Sequence, residues 1–198
     1  MKLFNLIATS VLGAAMAIGS GVALANMQKD VVKEVNAETN VITFKTGTND
    51  STKATTSTSC SSIVSAGGSY LSGNLQTATN VYASTAQGLR IGNSSAAGTI
   101  KMNLASATNV STVVINAKRY SASKAATIGF NGSEQQSLPT DGSAKDCTFE
   151  VNSSISYIQI DSSKYLYVSS VTLNIAEGPT KYTFICCDKI DSKVGRFL

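Results

Sequence analysis

Between Ile42 and Ile175, apolar side chains return at every second position in short bursts, with turn residues between them and no convincing long helix. A period of two places one face of an extended strand against a core and the other against water. Ile42 and Phe44 share such a face. Leu89 and Ile91 flank Arg90, and Ile100, Met102 and Leu104 alternate with Lys101 and Asn103. Val113, Ile115 and Ala117 alternate with Val114, Asn116 and Lys118, and Cys147, Phe149 and Val151 repeat the rhythm before Ile158 and Ile160. Ile128 and Phe130 precede Asn131-Gly132, the strongest two-residue hairpin signal in the chain, with Gln135 to Leu138 as the returning strand. Ser169-Ser170 interrupts the run from Tyr165 to Ile175 in the manner of a bulge. The expectation is an all-β chain of eight or more short strands, arranged as a β-sandwich.

Not every stretch carries this rhythm. Gly47 to Ser69 is dominated by Thr, Ser and Gly, and reads as a long mobile loop with little to bury. The amino terminus is different again. Met1-Lys2 precedes an uncharged run from Leu3 to Leu24, and Ala23-Leu24-Ala25 has the small-residue spacing of a signal-peptidase site. A retained membrane anchor is the alternative, since that run approaches bilayer-spanning length. The expected layout is a signal peptide forming an N-terminal helix over 1–25, a leader over 26–39, a β-sandwich domain over 40–176 and a C-terminal tail over 177–198. On that reading the domain is secreted or cell-surface associated in a bacterium, touching the membrane only through an uncleaved signal segment.

Charge argues against a nucleic-acid partner. Only 14% of residues are charged and the formal charge is +4, falling to +3 if Lys2 leaves with the signal segment. Lys118-Arg119 is the one adjacent basic pair, whereas neutralising several phosphates needs a concentrated basic face. Four cysteines fit an oxidising compartment loosely. Cys60 and Cys147 are candidates for a disulfide, although unpaired thiols are favoured. Cys186 and Cys187 are adjacent, with Cα atoms about 3.8 Å apart, below the usual disulfide separation.

Catalysis has little to stand on. The chain has no histidine, the usual general base beside a Ser or Cys nucleophile. Ser121-Ala122-Ser123-Lys124 matches S-x-x-K, but in enzymes that use this motif the Ser opens a helix, and here it falls between strands. Asp141, Asp146, Glu150 and Asp161 are the carboxylates to consider for glycoside hydrolysis, and are better read as solvated groups. No cofactor is expected. A structural calcium at Asn49-Asp50-Ser51 or Asp141-Gly142-Ser143 is the alternative, against ordinary turns in which an Asx side chain caps the backbone.

Binding is the better fit. Tyr offers a flat apolar face with a polar tip, suited to a sugar ring. Trp is absent, while Tyr70, Tyr82, Tyr120, Tyr165 and Tyr167 are available. The candidate ligand-binding residues are Arg90, Lys118, Arg119, Tyr120 and Tyr165, with Lys118-Arg119-Tyr120 as the preferred loop.

Two stretches also look familiar. They are Gln87-Gly88-Leu89-Arg90-Ile91-Gly92-Asn93-Ser94-Ser95-Ala96-Ala97-Gly98-Thr99-Ile100 with Val113 to Tyr120, and Tyr157 to Ile160 leading into Tyr165 to Leu173. Together they resemble secreted modules of low-GC Gram-positive bacteria and mollicutes, in which a jelly-roll, galactose-binding-like sandwich stands alone or beside an extracellular endonuclease I-type domain. The resemblance spans residues 40–176 and implies a fold, not a ligand set, so no site residue is carried over from it. The Cys186-Cys187 tail departs from the pattern. The expected function is a non-catalytic binding or accessory module for a glycan or another cell-surface ligand. Two alternatives stand beside it: an adhesive surface protein making protein contacts, and a truncated relative of an extracellular endonuclease. Oligomeric state is left open.

Overall fold

The structure, a computed structural model, describes residues 38–48 and 52–176, which lie within one compact unit, Ala37–Glu177. The expected signal segment, its cleavage site, the Asn49-Asp50-Ser51 turn, Cys186-Cys187 and the strand-like Tyr182–Ile185 all fall outside the described residues.

Among the described residues ten strands form in chain order: β1 (Thr39–Phe44), β2 (Val64–Ala66), β3 (Leu71–Thr79), β4 (Val81–Thr85), β5 (Gly88–Ile91), β6 (Gly98–Arg119), β7 (Thr127–Phe130), β8 (Gln136–Ser137), β9 (Lys145–Ser162) and β10 (Leu166–Ile175). Two short 3-10 turns, Cys60–Ile63 and Gly68–Tyr70, are the helical elements among the described residues. Every pairing is antiparallel, and hydrogen bonds join all ten strands into one sheet. Its spine runs β2-β1-β10-β6-β9-β7-β8, with β3 on β6, β5 on β10 and β4 on β5.

Two strands are far longer than the expected short ones. β6 has 22 residues and β9 has 18, and they pair from Gly98↔Ser162 to Ala117↔Lys145. The small polar stretch after Leu104 reads locally as a turn, yet pairing resumes at Thr108↔Ile155 after a register shift, and shifts again between Val110 and Thr112. Bulges of this kind bend a strand while keeping its ladder. Ile100, Met102 and Leu104 before the irregularity, and Val113, Ile115 and Ala117 after it, belong to one buried cluster with Cys147, Phe149, Ile158 and Ile160.

From residue 52 onward, the segment expected to be a mobile loop is built into this unit. Ala54, Cys60, Ile63 and Val64 are buried, and bridges Lys53↔Tyr82 and Ser59↔Asn74 tie the segment to β4 and β3. Its apolar residues are spaced too irregularly to show a period, which is why composition alone pointed the other way. Cys60 and Cys147 are both buried, unpaired thiols in the core.

Two turn expectations are met. Asn131 and Gly132 both have positive φ, 47° and 80°, and Ser133 N donates to Phe130 O at 2.8 Å, so the chain turns tightly at this pair between β7 and β8. The β10–β6 ladder slips between Val168 and Ser170, so Ser169 is bulged and its hydroxyl donates to Asn116 Oδ1 at 2.5 Å.

Candidate functional site

Strand alternation decides which side chains share the outer face here. On β10, Leu166 and Val168 go to the core, as do Leu89 and Ile91 on β5 and Ala117 on β6. The residues between them therefore stand on the opposite face. Register then lines them up across four strands: Tyr82 (β4) lies opposite Arg90 (β5), Arg90 opposite Tyr167 (β10), and Tyr167 opposite Lys118 (β6). One step along, Tyr120 N donates to Tyr165 O across the end of the β6–β10 ladder. Cross-strand neighbours of this kind are close enough for aromatic and cationic side chains to interact directly.

They do so as one cluster. The Tyr120 ring stacks on Tyr165 with centroids 4.6 Å apart and planes inclined by 25°, and on Tyr167 at 5.5 Å and 27°. The Arg90 guanidinium carbon lies 3.8 Å from the Tyr82 ring centroid and 5.4 Å from that of Tyr165. Tyr120 is the exposed member at 45%, Tyr82, Tyr165 and Lys118 are half-buried, and Tyr167 forms the covered floor. Cation–π stacking on this scale contributes about 0.5–2 kcal/mol, more where water is excluded.

Arg90 is only 9% exposed, and its Nε is buried without a hydrogen-bond partner. Among the described residues, no side-chain hydrogen bond or ion pair accompanies the ring contacts of its guanidinium.

The turn that delivers Arg90 is tightly made. Thr85 is fully buried and its hydroxyl donates to Gly88 O at 2.7 Å, closing the β4–β5 hairpin. Gly88 has φ of 99°, and a Cβ there would sit 2.5 Å from Val168 O. Only glycine allows β5 to lie this close to β10, and that approach brings Arg90 over the tyrosines.

Of the residues singled out in the sequence, the structure brings together Arg90, Lys118, Tyr120 and Tyr165. Arg119 is elsewhere: it is 8% exposed, and its Nε donates to Leu138 O at 3.0 Å, with Leu138 in the core. Lys118 and Arg119 end a strand, so as adjacent residues they face opposite ways. Tyr82 and Tyr167, absent from the preferred set, complete the cluster, whereas Tyr70 packs half-buried against the core. The signal for Tyr82 was the hairpin register that sets it opposite Arg90.

The chemical alternatives look different in place. Ser121 and Lys124 close a turn, Lys124 N donating to Ser121 O at 3.2 Å, and Ser121 Oγ lies 3.0 Å from Ser123 Oγ. Asp141 Oδ1 accepts from Ser143 N at 2.9 Å in an Asx turn, and that bond holds its carboxyl below the ordinary carboxylate value. Asp146 accepts from Asn116 Nδ2, and Asp161 from Thr99 and Gln159. Among the described residues no group of three or more His, Cys, Asp or Glu side chains is placed to hold a metal ion. An open groove of about 310 Å³ lies between Ser133–Gln136 and Thr148–Glu150 and includes none of the clustered tyrosines.

No family of known proteins, and none of the curated proteins, matches this chain.

Proposed function

We propose that this chain is an exported, non-catalytic binding module of the jelly-roll, galactose-binding-like kind, whose tyrosine platform receives the apolar face of a sugar in a cell-surface glycan. The observation that carries the reading is the near-parallel stacking of Tyr120 on Tyr165 and Tyr167. Aromatic rings stacked on one another over a strand face backed by the core are held in place by their neighbours, so little side-chain freedom remains to be lost on binding. Arg90 and Lys118 supply donors beside that floor.

Other features support the same reading. The chain contains no histidine, and three of the four carboxylates considered for hydrolysis, Asp141, Asp146 and Asp161, are engaged with Ser143, with Asn116, and with Thr99 and Gln159. The signal-type amino terminus supports export. The long bent strands β6 and β9, which share one buried cluster, support a sheet that wraps around a single core as jelly rolls do.

A glycan array followed by a polysaccharide pull-down tests the proposal. Retention on at least one sugar polymer, lost on Tyr120→Ala or Tyr165→Ala with folding intact, is expected. If no sugar is retained at high protein concentration, the platform is a protein-contact surface and the glycan reading fails.

A further inference from the structure

A guanidinium buried to nine-tenths is normally bonded to a carboxylate or to backbone carbonyls, because an unsatisfied charged donor away from water is costly. Arg90 is 9% exposed, its Nε is buried with no partner, and two tyrosine rings are its neighbours instead. Ring contact cradles the flat face of a guanidinium and satisfies none of its in-plane N–H groups. Those groups form a fork matched to two oxygens of a carboxylate or sulfate. The free protein thus holds a cation in position with its buried Nε–H left without a partner.

Resting on the glycan reading above, we infer that Arg90 is the recognition point for an oxyanion carried on a sugar ring, a uronate carboxylate or a sugar sulfate, so that the platform selects acidic polysaccharides over neutral ones.

Placement of the second cation agrees. Lys118 stands on the same face, separated from Arg90 by Tyr167 alone in the cross-strand row. Strand spacing near 4.8 Å puts their Cα atoms about 10 Å apart, close to the length of a disaccharide. A linear polymer lying across the strands would set one acidic group at Arg90 and another near Lys118, with sugar faces on the tyrosines between. Asp146, the nearest acid on this face of β9, is engaged by Asn116 Nδ2 at 2.7 Å, which leaves it committed to a neighbour.

The test compares charged polymers with their neutral twins: polygalacturonate against its fully methyl-esterified form, and dextran sulfate against dextran. Affinity electrophoresis or calorimetry with the purified full chain reads each pair. At least one acidic polymer is expected to bind ten-fold or more tightly than its twin, and the pair showing that ratio tells carboxylate from sulfate. Arg90→Gln is expected to erase the ratio, bringing the acidic polymer's affinity down to that of its neutral twin measured on the same variant. Circular dichroism checks that the variant folds. Arg90→Lys, which keeps the charge but not the planar fork, carries the same test should Arg90→Gln not fold. Equal binding of acidic and neutral polymers by the unaltered protein overturns the anion assignment and leaves the glycan reading standing. No binding to any of the four overturns the anion assignment, and the glycan reading falls with it if the glycan array also retains no sugar. A ratio that survives the Arg90 variants places the anion elsewhere and overturns the role given to Arg90.

Discussion

Tyr120 stacks on Tyr165 across the end of the β6–β10 ladder, 4.6 Å between ring centroids, and the same ring reaches Tyr167 at 5.5 Å. The three differ in how much of the fold rests on them. Tyr120 is 45% exposed and Tyr167 only 5%. Removing Tyr120 forfeits two aromatic pairs worth about 0.5–1.5 kcal/mol each, whereas truncating a covered aromatic costs about 3–5 kcal/mol. Tyr120→Ala should therefore lower stability by no more than about 3 kcal/mol while reducing sugar affinity ten-fold or more. Urea titration beside the pull-down measures both. A collapse in stability would mark Tyr120 as part of the core rather than of a binding face.

A second prediction concerns the turn that presents Arg90. Gly88 combines φ of 99° with a would-be Cβ 2.5 Å from the Val168 carbonyl oxygen. Gly88→Ala must strain its own backbone, at about 1–3 kcal/mol, and also push β5 away from β10. Arg90 would then leave the tyrosines. The expected outcome is a melting temperature lowered by several degrees together with weakened ligand binding. A variant with unchanged melting temperature would show that the β4–β5 hairpin tolerates the shift.

How far the sequence could be read depended on whether the signal was local. Alternation at Ile100–Leu104 and Val113–Ala117, the Asn131-Gly132 turn and the Ser169 bulge are local, and each appears where it was expected. The joining of those two alternating runs into one strand was not legible. Residues 105–109 are small and polar and look like a turn until β9 supplies a partner across them. Burial of Ala54, Cys60, Ile63 and Val64 was hidden for a related reason, since their contacts come from distant strands and leave no period. The site lay between these cases. Residue types pointed to Arg90, Lys118, Tyr120 and Tyr165, but their convergence rests on register across four strands, which no single segment encodes. Adjacent residues of a strand do face opposite ways, and that rule separates Arg119 from Lys118 once the stretch is known to be strand and not loop.

Arg119 provides the contrast to Arg90. Both are nearly buried arginines, but Arg119 Nε donates to the Leu138 carbonyl at 3.0 Å on the core side. A hydrogen bond from a charged donor contributes about 1.5–3 kcal/mol. Arg119→Leu should reduce stability by roughly that amount and leave sugar retention unchanged. Chemical denaturation and the pull-down, run on the same preparation, separate this from Arg90→Gln, for which the binding change is the expected one. Loss of retention in a folded Arg119→Leu would bring Arg119 into the site.

The two buried thiols give a pH dependence whose sign follows from their surroundings. Burial pushes the Cys60 and Cys147 thiols above their ordinary value of 9.0, because the core disfavours thiolate; for Cys147, Lys145 opposes this and Asp146 adds to it. With the folded value raised, the folded chain holds its thiol protons at a pH where the unfolded chain has begun to release them. The stabilising contribution is thus complete below pH 9 and declines as pH rises from there through the folded-state values. Denaturant midpoints measured from pH 7 upward should be flat at first and fall above about 9, and the double variant Cys60→Ala, Cys147→Ala, though less stable overall through lost packing, should lose less of its stability over that interval. Site-resolved mass spectrometry after iodoacetamide gives a second reading at neutral pH. Both thiols should stay unmodified in the folded protein and react once urea unfolds it, since reactivity needs accessible thiolate. Rapid labelling of either in the native state would show that the core around β6 and β9 opens far more readily than its packing implies.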